Sequence, residues 1–352
     1  NEHLNQVYKG IIQAKNELTL ENKFITSQAI KSRYLKEDEQ NHTITDIIKY
    51  HNEDMTNKLR WGSQKNYYTT QKYISKFIKK QFNTSDMYLK QLDYNFILKF
   101  EKFLRDYQPL DHQKKMGNNS VMKHIERFRK MITLSFKLEW IDRDPFINFK
   151  AKFEKVERGY LTEKELESIE EKQFSIPRLQ LVKDLFIFSC YTGLSYIDVI
   201  NLTNENFNFG IDGELWIIKK REKTKKLLRI PILPKAKILI DRYKIHPKSE
   251  INGTIFPKIS NQKLNSYLKE VADVCRIRKN LTFHLARHTF ATTITLTNGV
   301  PIETVSQLLG HSRISTTQIY AKVIERKVSD DMASLILKLS NKNESKQKEL
   351  YS

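Results

Sequence analysis

Apolar side chains recur every third and fourth position through most of the chain, the spacing of amphipathic helices. The first such stretch spans residues 1–35, with Leu4, Val7, Ile11, Ile12 and Leu18 on one stripe; Thr26-Ser27 opens a second short helix within it. Segment 36–43, KEDEQNHT, is a polar linker. From Thr45 to about Phe149 the period is helical throughout. It carries Ile47, Ile48, Met55 and Leu59, then Tyr67, Tyr68, Tyr73, Ile74 and Phe77. Ile97, Phe100, Phe103 and Leu104 follow, and then Ile125, Phe128, Ile132 and Phe136. These aromatics are expected in a core, with the Lys and Arg of the opposite faces free to meet phosphates. Asp142-Arg-Asp-Pro-Phe146 closes the block, and Phe149 to Arg158 is a basic linker without apolar period.

A mixed block comes next. Thr162 with Glu165 is a capping-box signature for a helix start. The period predicts helices at 162–172, 178–191, 234–244, 261–275, 284–298 and 301–309. Two β-prone runs, residues 215–218 (LWII) and 230–233 (IPIL), predict a hairpin at about 214–233. The fold class is therefore mainly α with a small β-hairpin or sheet (α+β). Four segments are expected: a helical segment and linker at 1–42, a helical domain at 43–150, a mixed domain at 151–340 and a disordered tail at 341–352. A last amphipathic helix is expected at 326–339, carrying Val328, Met332, Leu335, Ile336 and Leu339.

Charge sharpens this picture. The 352 residues hold 61 Lys and Arg against 41 Asp and Glu, a net charge of +20, which favours a polyanionic partner such as nucleic acid. Richness in Lys, Asn, Ile and Tyr is also what an AT-rich genome encodes, so the distribution matters more than the total. Residues 219–229, KKREKTKKLLR, carry seven basic side chains and one acid in the predicted hairpin turn, a shape that fits a DNA groove. A hydrophobic content of 39% excludes a wholly disordered chain. No apolar run reaches the roughly 18–20 residues of a membrane span, and the first ten residues carry no export signal. Cys190 and Cys275 stand far apart, which excludes a disulfide scaffold or a Cys-based zinc site and fits a reducing cytoplasm.

Three polar signatures follow in order. In His284-Leu-Ala-Arg287-His288, His284 and Arg287 share a helix face. His284 and His288 have zinc-pair spacing, but no Glu follows the first His and Arg287 stands between them, so no metal is expected. In Leu309-Gly310-His311, Pro301 starts a helix that Gly310 stops, which leaves His311 just past its end. Tyr320 lies nine residues further on, with Ser315 as the expected cap of a short helix that bears it.

Together these residues resemble the tyrosine site-specific recombinases of the phage-integrase type, over roughly residues 45–340. The similarity is nearest to integrases of Bacteroidetes mobile elements and conjugative transposons. Thr192-Gly-Leu194, with Asp198 and Leu202, resembles the family's first box; the 45–149 block resembles its SAM-like core-site-binding domain, and the 1–35 helices the end of an arm-site-binding region. The resemblance implies a bacterial cytoplasmic enzyme that cuts one DNA strand through a 3′-phosphotyrosine, without cofactor, metal or ATP. Tyr320 is then the nucleophile. Arg287 clamps the phosphate, while His284 and His311 donate hydrogen bonds and move protons. Lys223 protonates the leaving 5′ hydroxyl, with Lys220, Lys225 and Lys226 as rivals in an unknown hairpin register. Lys219, Lys220, Arg221, Lys225 and Lys226 contact DNA. His288 packs behind the site, and Asp198 orients a neighbouring helix or base. The implied partners are double-stranded DNA, further copies of the chain in a tetramer on two sites, and a DNA-bending host factor, with no membrane.

One position departs from the family. The first box normally ends in Arg, and here Ser195 stands there. Ser195 serves as a weaker donor, or another cation (Lys183 or Arg178) replaces the arginine, or the chain is a DNA-binding factor without catalysis. Integration and excision of a mobile element is the expected task, and DNA inversion by the same chemistry is the alternative. A type IB topoisomerase shares the chemistry but lacks the Leu-Gly-His box.

Overall fold

The computed structural model describes residues 1–21, 25, 27–35, 42–109, 114–156, 159–323 and 332–333. Most of the helix expected at 326–339, the tail at 341–352 and most of the linker at 36–43 lie outside these residues. The chain divides into two compact units, Asn1–Val156 and Glu157–Ser352.

The first unit is helical. α1 (Glu2–Leu20) and α2 (Ser27–Tyr34) form a pair, tied where Arg33 donates to Glu21 at 2.7 and 2.9 Å. Only Ala14 and Leu18 of α1 are buried, the latter with Ala29 and Tyr88. The apolar stripe of Leu4, Ile11 and Ile12 is therefore largely exposed, because α1 packs only through its C-terminal half. Thr43 then starts α3 (Ile44–Lys58) with a capping box, its hydroxyl accepting from Asp46 N–H and Asp46 accepting from Thr43 N–H. α4 (Trp61–Phe82), α5 (Tyr94–Asp106) and α6 (Asn118–Lys137) complete the bundle. Phe77 is its centre, with the rings of Phe82, Phe96, Phe100 and Phe103 within 5.1–5.7 Å. Truncating such a ring to Ala typically costs about 3–5 kcal/mol.

Not every aromatic at helical spacing joins this core. Tyr67, Tyr68 and Tyr73 are half-buried and Phe136 is exposed. Tyr67 sits beside His51, with Lys130 over its ring at 5.4 Å, and Tyr73 packs edge-on against His124 and Tyr107. Their hydroxyl ends belong to a polar seam because a phenol keeps its oxygen near water or a partner.

The second unit wraps around α8 (Pro177–Thr192), which buries side chains on all its faces, as a central helix must. α7 (Glu163–Glu171), short α9 (Tyr196–Ile200), α10 (Pro234–Tyr243), α11 (Pro247–Asn252) and α12 (Asn261–Val274) accompany it. The hairpin forms as β2 (Leu215–Lys220) and β3 (Leu227–Pro231), and a third strand, β1 (Phe207–Phe209), pairs antiparallel with β2. α13 (Phe283–Thr289) continues into wider π turns over Phe290–Leu296, and α14 (Ile302–Leu308) follows. Tyr320 lies on a 3₁₀ turn, Gln318–Val323; Arg313, not Ser315, occupies the cap position of the 3₁₀ turn before it. Among the described residues no helix is long and apolar enough to cross a membrane.

Candidate active site

Two left-handed glycines shape the ground of the site. Gly193 (φ +66°) caps α8, and a Cβ there would meet the Phe290 ring at 2.5 Å. Gly310 (φ +59°) ends α14, and a Cβ there would meet Leu228 at 2.4 Å. Both turns therefore need glycine, for conformation and for space. Arg287 bridges them: its guanidinium donates to Gly193 O at 2.5 Å and to Leu309 O. It is 2% exposed, and burial pulls its pKa down to about 10, with the Arg221 charge adding to the fall and Tyr320 and Asp198 opposing it.

The sequence signatures converge here. His284 is exposed at the start of α13, and its ring meets that of His288 at 4.6 Å. His288 is buried and faces Tyr320, ring to ring at 5.3 Å. His311 Nδ1 lies 2.8 Å from Thr317 Oγ1, and Tyr320 N–H donates to Thr317 O at 3.0 Å. Thr317 thus fixes both the ring of His311 and the turn that carries Tyr320. Burial first, then the charges of Arg287, Arg221 and Lys226, hold His311 down at about 4, so it is neutral at pH 7.

The strand register explains the hairpin. Ile217, Lys219 and Arg221 alternate onto one side and Ile218 and Lys220 onto the other. Ile217 is core; Lys219, half-buried on the same side, donates to Asn201 O at 2.7 Å and Asn206 Oδ1 at 3.3 Å. Its ammonium is thus bonded within the unit, whereas the sequence places it among the DNA contacts. Arg221 follows, donating to Gly310 O at 3.2 Å, while its Nε is buried with no hydrogen-bond partner among the described residues. Lys226 donates to His311 O at 2.6 Å, and Lys225 pairs with Glu222 at 3.2 Å. Lys220 and Lys223 are exposed, Lys223 in the turn itself.

The Ser195 hydroxyl is committed to a neighbouring carboxylate. A hydroxyl carries one proton, and Ser195 Oγ donates it to Asp198 Oδ2 at 2.5 Å. Asp198, fully buried, accepts Glu222 N–H on its other oxygen at 2.9 Å, and so anchors the hairpin turn. The two other cations suggested for that role have partners of their own. Lys183 donates to Glu170 O and Lys172 O within the α7–α8 corner, and Arg178 pairs with Glu270 at 3.2 Å over the Tyr267 ring. The cation that stands beside Arg287 and His311 is Arg221. The sequence placed it only among groove contacts; the alternation Ile217-x-Lys219-x-Arg221 was the signal that it turns inward.

Among the described residues no three His, Cys, Asp or Glu side chains are grouped to hold a metal ion. In the helical unit, α6 carries Lys123, Arg127 and Lys130, the last two near Tyr67, and burial lowers the Arg127 pKa. His124, bonded to Thr70 Oγ1 at 2.8 Å, is held at about 4 by burial and then by Arg127. Both His124 and His311 bind protons more weakly folded than unfolded. The unfolded chain therefore gains protons first as pH falls, and stability is complete above about pH 6.5 and lost toward pH 4. The midpoint of thermal unfolding is expected to fall over that window, and to fall less steeply in His124→Gln. An equal slope in the two proteins would assign the acid loss to other groups.

Comparison with known proteins gives the same outline. Residues 43–153 match the phage integrase SAM-like domain, and residues 160–326 match the phage integrase family. The tyrosine recombinase XerC of Pediococcus pentosaceus is 22% identical over 299 residues, which cover 76% of this chain and 94% of that protein. A lambda integrase, solved as a tetramer bound to a Holliday junction, superposes with a TM-score of 0.61 at 17% identity, covering 86% of this chain and 85% of the other. The Tn1549 transposon integrase, solved with a circular intermediate DNA, gives 0.58 at 12% identity, covering 78% and 94%.

Proposed function

The chain belongs to the phage integrase family of tyrosine recombinases, enzymes of site-specific DNA recombination, and from that premise we propose that it integrates and excises a mobile element, with Arg221 in place of the family's first arginine. The observation that carries this reading is a pair of guanidiniums at one place: the Arg221 charge adds to the fall of the Arg287 pKa, both charges act on His311, and a buried Nε of Arg221 has no hydrogen-bond partner among the described residues. Like charges so placed suit a bound anion.

The chemistry follows from the side chains. Tyr320 Oη attacks the scissile phosphorus, a P–O bond to tyrosine forms and the bond to the 5′ oxygen breaks. Arg287 and Arg221 stabilise charge on the non-bridging oxygens. His311, neutral at pH 7, and His284 serve proton transfer from the attacking phenol. Lys223 gives its proton to the departing 5′ oxygen; Lys225 and Lys226 are engaged elsewhere in the turn and Lys220 lies on the opposite strand face. The phosphotyrosine conserves the bond energy, so rejoining to a second strand needs no ATP. The helical unit binds one side of a core site through α4 and α6, and four copies of the chain assemble on two duplexes, an expectation supported by the lambda integrase tetramer of the same fold.

The test is a nicked duplex carrying candidate core sites, mixed with protein and a chelator. A covalent protein–DNA adduct is expected; its absence on DNA that the protein binds specifically would sink the enzymatic reading. The proton donor is tested by replacing the bridging 5′ oxygen with sulfur, since a thiolate leaves unprotonated far more readily than an alkoxide. Lys223→Ala is expected to cleave normal DNA at least about a hundredfold slower and the sulfur substrate at nearly the wild-type rate. No rescue by sulfur would move the role to another group. Circular intermediates recovered from cells bearing the gene would favour excision, and inverted segments would favour an invertase.

A further inference from the structure

The linker enters the second unit through four consecutive backbone groups, and side chains hold each of them. Tyr160 O accepts from Lys279 Nζ at 2.8 Å. Leu161 N–H donates to Thr289 Oγ1 at 3.0 Å, and Leu161 O accepts from Thr293 Oγ1. Thr162 N–H donates to Glu165 Oε2 at 2.8 Å, and Lys279 pairs with that same carboxylate at 2.5 Å. Leu161 itself is fully buried. Three of these four anchors come from Lys279, Thr289 and Thr293, the stretch that brackets His284 and Arg287 in sequence.

Both threonines face Leu161 because they are four residues apart across the junction of α13 with the π turns. π turns break the even α register and are often found at functional sites. Here they put two hydroxyls on one dipeptide unit. At its other end the linker is also fixed, within the helical unit. Asn118 Nδ2 donates to Lys152 O at 2.8 Å. Asn119 makes a two-way bond with Glu154, donating to its O and accepting from its N–H, each at 2.8 Å. Those two asparagines form the first turn of α6.

We propose that Thr289 and Thr293 are positioning residues that couple the Leu161 backbone to the active-site helix, so that the placement of His284 and Arg287 depends on these two hydroxyl bonds. This deepens the recombinase reading and rests on it. Geometry at the scissile phosphate is sensitive enough to carry such a signal, because a shift of about 1 Å at a reacting group can cost about a hundredfold in rate. The coupling runs from Leu161 through two hydroxyls to α13.

The experiment uses the full chain and the nicked core-site duplex, reading DNA affinity and the rate of adduct formation separately. Wild-type protein must form the adduct; failure there overturns the recombinase reading and not the coupling. Given an active wild type, Thr293→Val is expected to bind DNA normally and to cleave about tenfold slower or more, and Thr293→Ser, which keeps the hydroxyl, to recover most of the rate. Thr289→Val, which takes the acceptor from Leu161 N–H, is expected to slow cleavage too, and the double variant Thr289→Val/Thr293→Val to lose less than the product of the two single losses, because both release Leu161. If Thr293→Val fails to fold, Lys279→Met, which releases Tyr160 O from a partly exposed side chain, takes its place in the same cycle. Wild-type cleavage by either single variant, or losses that multiply in the double variant, would overturn the proposal.

Discussion

Tyr320→Phe is expected to bind core-site DNA at wild-type strength and to form no covalent adduct with it. The loss in cleavage rate is expected to be on the order of 10⁵-fold or more, the scale seen when a catalytic nucleophile is removed. The substitution takes away one oxygen and leaves a ring of nearly the same shape. That ring is 7% exposed and packs against His288 at 5.3 Å, so the phenylalanine fits where the tyrosine did and the fold is kept. The proposed DNA contacts lie on other side chains, so affinity measured by gel shift is expected to stay put. Adduct formation by the variant would move the nucleophile elsewhere.

Arg221→Ala is expected to lower adduct formation by about 10²–10³-fold, the cost of losing one preorganised donor at a charged transition state. Arg221→Lys is expected to recover part of the rate, since it returns the charge without the fork that grips two oxygens at once. Ser195→Ala is expected to lose less than about tenfold. Its hydroxyl proton is committed to Asp198, and Asp198 keeps Glu222 N–H without it. The order of these losses is the discriminating result. A larger loss at Ser195 than at Arg221 would return the phosphate contact to the first box.

Much of the fold could be read from the chain because its helices carry their own punctuation. Thr162 with Glu165, Pro301 and the left-handed Gly310 fixed ends that the apolar period alone leaves loose. The reading faltered where tertiary context decides. α1 shows a full apolar stripe and buries only part of it. The tyrosines of α4 have core spacing and sit at a polar seam. β1 is three residues long, too short for any pattern to announce. For the site, the motif residues His284, Arg287, His311 and Tyr320 came from spacing and resemblance, and their convergence is visible in the structure. Arg221 was hidden because one residue of strand register decides which face a side chain takes. Within a run of seven basic residues, composition gives no hint of which one turns inward.

For the roles proposed for Arg221 and Lys223, the hairpin turn has a consequence for how often the site is complete. Arg221 and Lys223 are two residues apart on one turn, pinned by Asp198 through Glu222 N–H and closed by the bonds of Arg221 N–H to Lys226 O and Lys225 N–H to Arg221 O, each 2.8 Å. If two cations came from two independently moving segments, the active fraction of molecules would be the product of two probabilities. Carried on one turn, they are present or absent together, and the rate scales with a single occupancy. A tenth of the turns docked would mean about a tenth of the full rate rather than about a hundredth.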